Sequence, residues 1–286
     1  MKMTLKILAL LQLSLLSVAA KAQFVVTDTI LPERIVVKSS QYGIATLNNL
    51  DTYLSGYEYR GYGFHYSHEN FRDARTGNYR WKYQTLSSST IGYATQGNNI
   101  QLTGLIDYNW GGYHPFTISD RFKLLAGSQL QIEGGALYVP NNGNNPVQMK
   151  LRTAIAASGM AIYHIPVNGH NWTARYQLDV PLLGMMFAPE FGQSYYEIFG
   201  LGHTNGIISV THPFNNPSWR HTLSLDIPLR YKHHSTTLRI GYCANIYQSD
   251  INEIRCHIYR HAFTLGFVKT ILKIKEENKI KAYSPY

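Results

Sequence analysis

The chain has 286 residues, of which 44% are hydrophobic, 13% aromatic and only 15% charged. This excludes a disordered chain and suits one or two domains. Twenty-two tyrosines and 23 glycines, with a mean hydropathy of -0.21, favour β structure. Beyond the N-terminus no apolar run approaches the ~18 residues of a membrane helix, which excludes a polytopic helical membrane protein.

The N-terminus has the order of an export leader. Lys2 and Lys6 give a charged start, Ile7 to Leu16 an apolar stretch, and Ala20-Lys21-Ala22 a small-x-small cleavage pattern. Residues 1–22 are therefore read as a signal peptide cut between Ala22 and Gln23. With no cysteine beside that point, a lipid anchor is not expected. The formal charge is +9, but Lys2, Lys6 and Lys21 leave with the leader, so 23 basic residues face 17 acidic ones, an excess of +6. An exported chain has no occasion to meet nucleic acid. In a Gram-negative envelope the anionic partner would be lipopolysaccharide phosphate. Snorkelling side chains and an arginine-rich lumen account for the excess better.

Residues 23–50 are less regular. Val25, Val26, Ile35, Val36 and Val37 suit an N-terminal periplasmic arm or extra strand. From residue 51 to about 270 the chain alternates with period two. Ile100, Leu102, Ile106, Tyr108 and Trp110 oppose Gln101, Thr103, Asp107 and Asn109. Val147, Met149, Leu151 and Ile155 oppose Gln148, Lys150, Arg152 and Ser158, and Trp172, Ala174, Tyr176 and Leu178 oppose Thr173, Arg175, Gln177 and Asp179. Trp219, His221, Leu223 and Leu225 oppose Arg220, Thr222, Ser224 and Asp226, and Tyr259, Phe263, Leu265 and Phe267 share one face. Such segments are strands with one apolar and one polar face. They run longer than the five or so residues of a soluble sandwich strand and suit the ~9–11 or more of a membrane strand. Trp110, Trp172, Trp219, Tyr231 and Phe267 lie near segment ends, where an interfacial girdle belongs. An all-β, transmembrane antiparallel barrel is therefore preferred to a sandwich.

Breakers place the turns. Residues 67–78 and 113–120 read as loops, 94–99 as a Gly/Asn turn, and Pro140 to Pro146 as the densest break. Val167–His170, Asn215–Ser218, His233–Ser235 and Ser249–Asn252 complete the set. This gives about ten strands, or twelve if Gln193–Gly202 forms one. Pro181 and Pro228, in the matching Asp-Val-Pro-Leu and Asp-Ile-Pro-Leu segments, are expected at strand ends or bulges. Residues 271–286 form a basic tail.

Several segments carry a resemblance. Leu50-Asp51-Thr52-Tyr53-Leu54-Ser55 with Tyr59 and Gly61, Asn144-Asn145-Pro146, the stretch Phe187–Phe199, and Leu238–Tyr242 with Gln248 and Asn252 resemble an uncharacterised family of exported outer-membrane barrel proteins, a domain of unknown function. The likeness spans about residue 50 to Phe267 and implies the barrel. It brings no catalytic residues.

The least barrel-like stretch is Pro189–Tyr196 with Glu197 and His203. Glu190 and Glu197 among Tyr195 and Tyr196 suit a binding loop, with Tyr195, Tyr196 and His203 beside them; aromatic packing over a barrel end suits the same stretch. His65 and Ser67 fall on the lumen side of one strand, and His-x-Ser resembles lipid-deacylating outer-membrane enzymes. Asn70 comes later than the asparagine of those enzymes, and no acid is clearly placed to orient the histidine. No His-Glu-x-x-His or Cys-x-x-Cys occurs, and His257 and His261 lack a third ligand, so neither metal nor cofactor is expected. The polar faces gather Arg80, Lys82, Lys150, Arg152, Arg175, Arg220 and Arg239 with Asp107, Glu133, Asp179 and Asp226. That set suits an ion-paired lumen filling a narrow barrel, or an anion-selective path. The only cysteines, Cys243 and Cys256, sit symmetrically about a turn centred near Ser249-Asp250, both facing inward, and are expected to form a disulfide in an oxidising compartment. A bulge in 250–253 would instead leave free thiols.

The reading is a monomeric outer-membrane barrel of structural or interaction character, with outer-membrane lipid, including anionic lipopolysaccharide, as its expected partner. A narrow channel and a His65/Ser67 esterase stand as alternatives. Short loops argue against a large receptor surface, and the lack of a plug domain against active import.

Overall fold

Alternation becomes strand along most of the chain. A computed structural model describes residues 34–74, 81–143, 145–167, 170–231 and 234–273. The expected leader with its Ala22/Gln23 cleavage point, Arg80, and residues 274–286 of the expected tail lie outside the described residues. The strands are β1 (Arg34–Asp51), β2 (Ser55–Asp73), β3 (Lys82–Gln96), β4 (Asn99–Thr117), β5 (Phe122–Tyr138), β6 (Val147–Val167), β7 (His170–Phe187), β8 (Ile208–Thr211), β9 (Trp219–Tyr231), β10 (His234–Ile251) and β11 (Ile254–Lys273). A five-residue helix, α1 (Tyr195–Phe199), lies between β7 and β8.

Sequential neighbours pair from β1 to β7, β7 pairs with β9, and β11 returns to β1, so ten strands close an antiparallel barrel. The short β8 pairs only with the last residues of β7. At the closing seam, inward Gly43 and Gly266 stand where an added Cβ would meet the carbonyl oxygens of Phe263 and Ser40. Their missing side chains let β1 and β11 coil together tightly.

Side-chain parity follows the sequence. Ile106 and Phe263, 63% and 69% exposed, face outward, while Gln101, Thr103, Asp107, Asn109, Gln177 and Asp179 are buried inside. Pro181 sits in a register shift of the β6–β7 ladder, and Pro228 is paired with Thr237 beyond the last residue that β9 shares with β7. Both prolines occupy places where a ladder hydrogen bond is not needed.

Four expectations are corrected. Residues 34–50 are no arm: β1 is a full wall strand paired on both edges. Its alternation was hidden because Lys38, Ser40, Thr46 and Asn48 put polar groups on the outward side. Residues 67–73 and 113–117 continue β2 and β4 rather than forming loops, since the outward face turns polar there (His68, Asn70). Residues 271–273 end β11 rather than open a tail. Gln193–Gly202 forms no strand but holds α1, so among the described residues the barrel keeps the ten strands counted without it.

The cysteines give the fifth correction. Cys243 and Cys256 are free thiols. The β10–β11 turn is Asn252-Glu253, with Ile251 opposite Ile254, so Cys243 faces Ala262 and Cys256 faces Ser249. Both cysteines point inward as expected, but the turn centre lies later than Ser249-Asp250. This displacement parts them along the strands.

Candidate functional site

The lumen is filled in layers. Near the end that carries the longest connection, residues 188–218, inward Tyr59, Leu105, Leu137, Met186, Tyr247 and Ile258 form an apolar layer with Tyr53, Leu54 and Cys256. Near the other end, Tyr113, Leu125 and Met160 pack with Phe71 and Ile162. Between them lies a buried polar ladder.

That ladder is built from the charges that alternation turned inward. Arg260 holds Asp107 in a two-pronged contact, Nη1 at 2.9 Å and Nη2 at 3.1 Å, and reaches Glu133 at 3.4 Å. Arg152 lies 3.6 Å from the same Glu133. Arg220 donates from Nε (2.9 Å) and Nη2 (2.7 Å) to Asp179. Glu69 accepts from Arg175 at 2.7 Å and Arg239 at 2.6 Å, and Arg239 also grips Asp226 at 2.5 and 2.7 Å. Outside the ladder, Lys82 pairs with Asp73 at the strand ends, and Lys150 with Asp51 at 2.5 Å beside Cys256 of the first apolar layer. Gln84, Gln129 and Gln177 knit the ladder pairs together, with Gln84 donating to Glu69 at 2.6 Å and the Tyr113 hydroxyl donating to Gln84 at 2.9 Å. Ion pairs this deep persist only when hydrogen bonds answer the remaining lone pairs, as Gln84 does at Glu69, Gln177 at Asp179 and Ser88 at Asp107. A polar cavity of about 20 Å³ lies among Asp107, Glu133, Arg152, Pro181, Trp219 and Arg220, room for about one water.

His65 and Ser67 are both buried on the inward face of β2. His65 Nδ1 pairs at 2.9 Å with the Thr90 hydroxyl across the β2–β3 ladder. The histidine thus has a structural partner within the polar ladder.

The expected binding loop is a folded cap. Ser194 starts α1 with a capping box: its hydroxyl accepts from the Glu197 amide at 3.2 Å while Glu197 accepts from the Ser194 amide at 2.6 Å. The Ser194 amide and hydroxyl hold the Glu197 carboxyl below the usual carboxylate range. Burial pushes the Tyr195 phenol up. The Tyr195 hydroxyl accepts from the Met149 amide at 2.7 Å and donates to Gln148 at 2.9 Å. It thereby covers the edge of β6 left open where β7 departs, past the Arg152–Met186 pair. The Tyr53 hydroxyl donates to the Gln193 carbonyl at 2.8 Å, and Asn252 donates to the Ala188 and Gly206 carbonyls at 2.6 and 3.0 Å. Glu190, Glu197 and His203 line one open recess of about 470 Å³ with Phe191 and Gln193. Tyr195 turns away from it onto the barrel rim, and Tyr196 is 71% exposed. Sequence reasoning missed Tyr53, Asn252 and Gln193 as fasteners. Their partners lie 10 to 140 residues away, beyond any local pattern.

A family model described as "Protein of unknown function (DUF3316)" matches residues 5–278. No curated protein matches the sequence. Among solved structures, the chain is similar to the outer membrane protease OmpT from Escherichia coli, at 7% identity and a TM-score of 0.46, covering 86% of this chain and 99% of that one. It is also similar to the translocator domain of the autotransporter NalP from Neisseria meningitidis, at 11% identity and 0.34, covering 82% and 87%. A FadL homologue of Pseudomonas aeruginosa follows at 10% identity and 0.30, covering 83% and 89%. These likenesses concern barrel form alone.

Proposed function

The chain belongs to the family described as Protein of unknown function (DUF3316), and we propose that it is an outer-membrane barrel of structural or interaction character with a filled lumen. The observation that carries this reading is the unbroken sequence of interior layers: apolar, ion-paired, apolar. A barrel near eight strands has an interior that side chains can fill, whereas about sixteen leave an aqueous channel. Ten strands with arginines reaching across the lumen belong with the first kind. The outward apolar faces would meet lipid, since a closed barrel leaves no unpaired edge in the hydrocarbon.

Short turns belong to the periplasmic side of such barrels and longer loops to the outside. The start of β1 and the end of β11 share one end of the barrel, where they pair Arg34 with Lys273, and the 118–121 turn lies at that end. Because the longest connection, 188–218, lies at the opposite end, we read the N-terminus as periplasmic and the α1 cap as external, with outer-membrane lipid, including lipopolysaccharide, as the surrounding partner of a monomer. His65 bonded to Thr90 gives the esterase reading no support, and the stacked layers give none to the channel.

Planar-bilayer recording of the folded protein should show no stable conductance. A stable open level in the wild type would overturn the filled-lumen reading. Recovery of the protein in a soluble periplasmic fraction without detergent would overturn the membrane one.

A further inference from the structure

The 188–218 connection does not merely close the barrel end; part of it lies on the outside of the wall. Past the β6–β7 register shift, Met186 points inward, which turns Leu183, Met185 and Phe187 outward. Met185 is 51% exposed, yet Phe187, two residues on and on the same face, is only 6% exposed. What covers it is the connection itself: the Tyr195 and Phe199 rings stack with Phe187 at 6.1 and 6.5 Å, and with one another at 6.0 Å. Helix α1 therefore sits astride the rim: Tyr195 meets Tyr53 of the lumen layer edge-on at 6.0 Å, while Phe199 lies against Phe187 on the outer side of β7.

The outermost groups of this layer are apolar and bare. Tyr196 and Phe199, three residues apart and so on one helix face, are 71% and 65% exposed, while Ile198 is turned inward and buried. On β8, Val210 lies beside Met185 and Ile208 beside Phe187, and the two are 58% and 59% exposed. Phe214, between β8 and β9, is 95% exposed. Phe214 flanks the patch with its ring beside His212, and an exposed apolar patch of this kind marks a contact surface.

We propose that α1, β8 and Phe214 form an apron that lies in the outer-leaflet lipid at the headgroup–acyl boundary. This rests on the membrane reading above. Continuity selects lipid over a protein partner. The patch runs from Met185 through its neighbours Val210 and Ile208 to the Phe187–Phe199 stack, so what bathes the strand face also bathes the apron. Aromatic side chains are at home at that depth. A helix this short does not hold itself together, and the capping box, the ring stack and the Tyr195 hydroxyl fasten it so that its apolar face is presented.

The test uses Phe199→Cys and Phe214→Cys, with Met185→Cys as the strand-face reference, in a Cys243→Ala, Cys256→Ala background. Each protein is folded into phosphatidylcholine vesicles and labelled with one environment-sensitive dye. Nitroxide-bearing phosphatidylcholine should quench both apron positions to at least about half the extent seen at residue 185, with iodide in the water ineffective. Quenching by iodide instead, at either apron position, overturns the apron while leaving the barrel reading intact. Loss of lipid quenching at residue 185 itself would show that the membrane reading has failed.

Discussion

Arg239 shows how much a single inward residue carries. It joins Glu69, Asp226 and the Ser39 hydroxyl, all within 3.0 Å. Arg239→Ala removes the only cation among those contacts that touches Asp226, so a half-buried carboxylate loses its partner and buried Glu69 loses one of two. The expected loss is about 2–3 kcal/mol, read as a fall in the urea midpoint in detergent micelles. Arg175→Ala should cost clearly less, because Glu69 keeps Arg239 and Gln84; equal losses would deny the shared pairing. Tyr195→Phe leaves the Met149 amide without its acceptor, with an expected cost of about 1–3 kcal/mol. Hydrogen exchange at Met149 should accelerate in that variant while Thr153, paired with Met185, stays protected. That these charges face inward was legible, because period two puts Arg152, Arg175 and Arg220 on the faces opposite the aromatics. Which acid each one meets was not. Arg239 and Glu69 lie 170 residues apart, and only the register of every intervening hairpin brings them together.

The elements were legible where one face was apolar and illegible where it was not. Strands β4, β6, β7 and β9 follow the alternation closely, whereas β1 and the lower ends of β2 and β4 carry polar groups on both faces and read as arm or loop. Turns were found by composition but not centred by it. The β10–β11 turn has no glycine: Asn252 and Glu253 both take left-handed backbone, at φ 55° and 63°, the pairing that a two-residue hairpin needs. Asparagine accepts that conformation and glutamate does not, so the breaker signal fell too early, on Ser249-Asp250, and misplaced the cysteines. Glu253→Gly should raise stability by about 1 kcal/mol, seen as a later urea midpoint. Alkylation of the denatured protein without reductant should add two groups, since both thiols are free; none added would mean a disulfide and a different register. For α1, Glu197 binds the Ser194 amide as a carboxylate, and its folded value lies below its unfolded one. Its contribution is therefore present above the unfolded carboxylate range and is lost as pH falls through the depressed folded value. The protection factor of the Ser194 amide, taken against the intrinsic exchange rate at each pH, should fall on acidification, and Glu197→Gln should flatten that fall.

At the scale of the whole molecule the question is which layer seals the barrel. The cap is fastened over the end by Tyr53, Asn252 and Tyr195, which gives it the look of a lid. Beneath it, however, Leu105, Leu137, Met186, Tyr247 and Ile258 come from the wall itself and are buried against one another. Below them Arg239 and Arg260 reach across the lumen to Glu69 and Asp107, while Arg152 and Arg220 hold carboxylates of the neighbouring strands. A lid is unnecessary above such a stack, because an ion entering it would have to displace charge-assisted hydrogen bonds on every level. Replacing residues 191–205 with a short Gly/Ser linker keeps β8 and the Asn252 contacts to Ala188 and Gly206. The shortened barrel should fold, as judged by heat-modifiable migration, and should remain without stable conductance in a planar bilayer. If the folded variant conducts, the seal lies in the cap and the wall layers are permeable. If it stays silent, further truncation inside the wall, Leu105→Ala with Leu137→Ala, should still yield no open level, since the arginine ladder remains beneath.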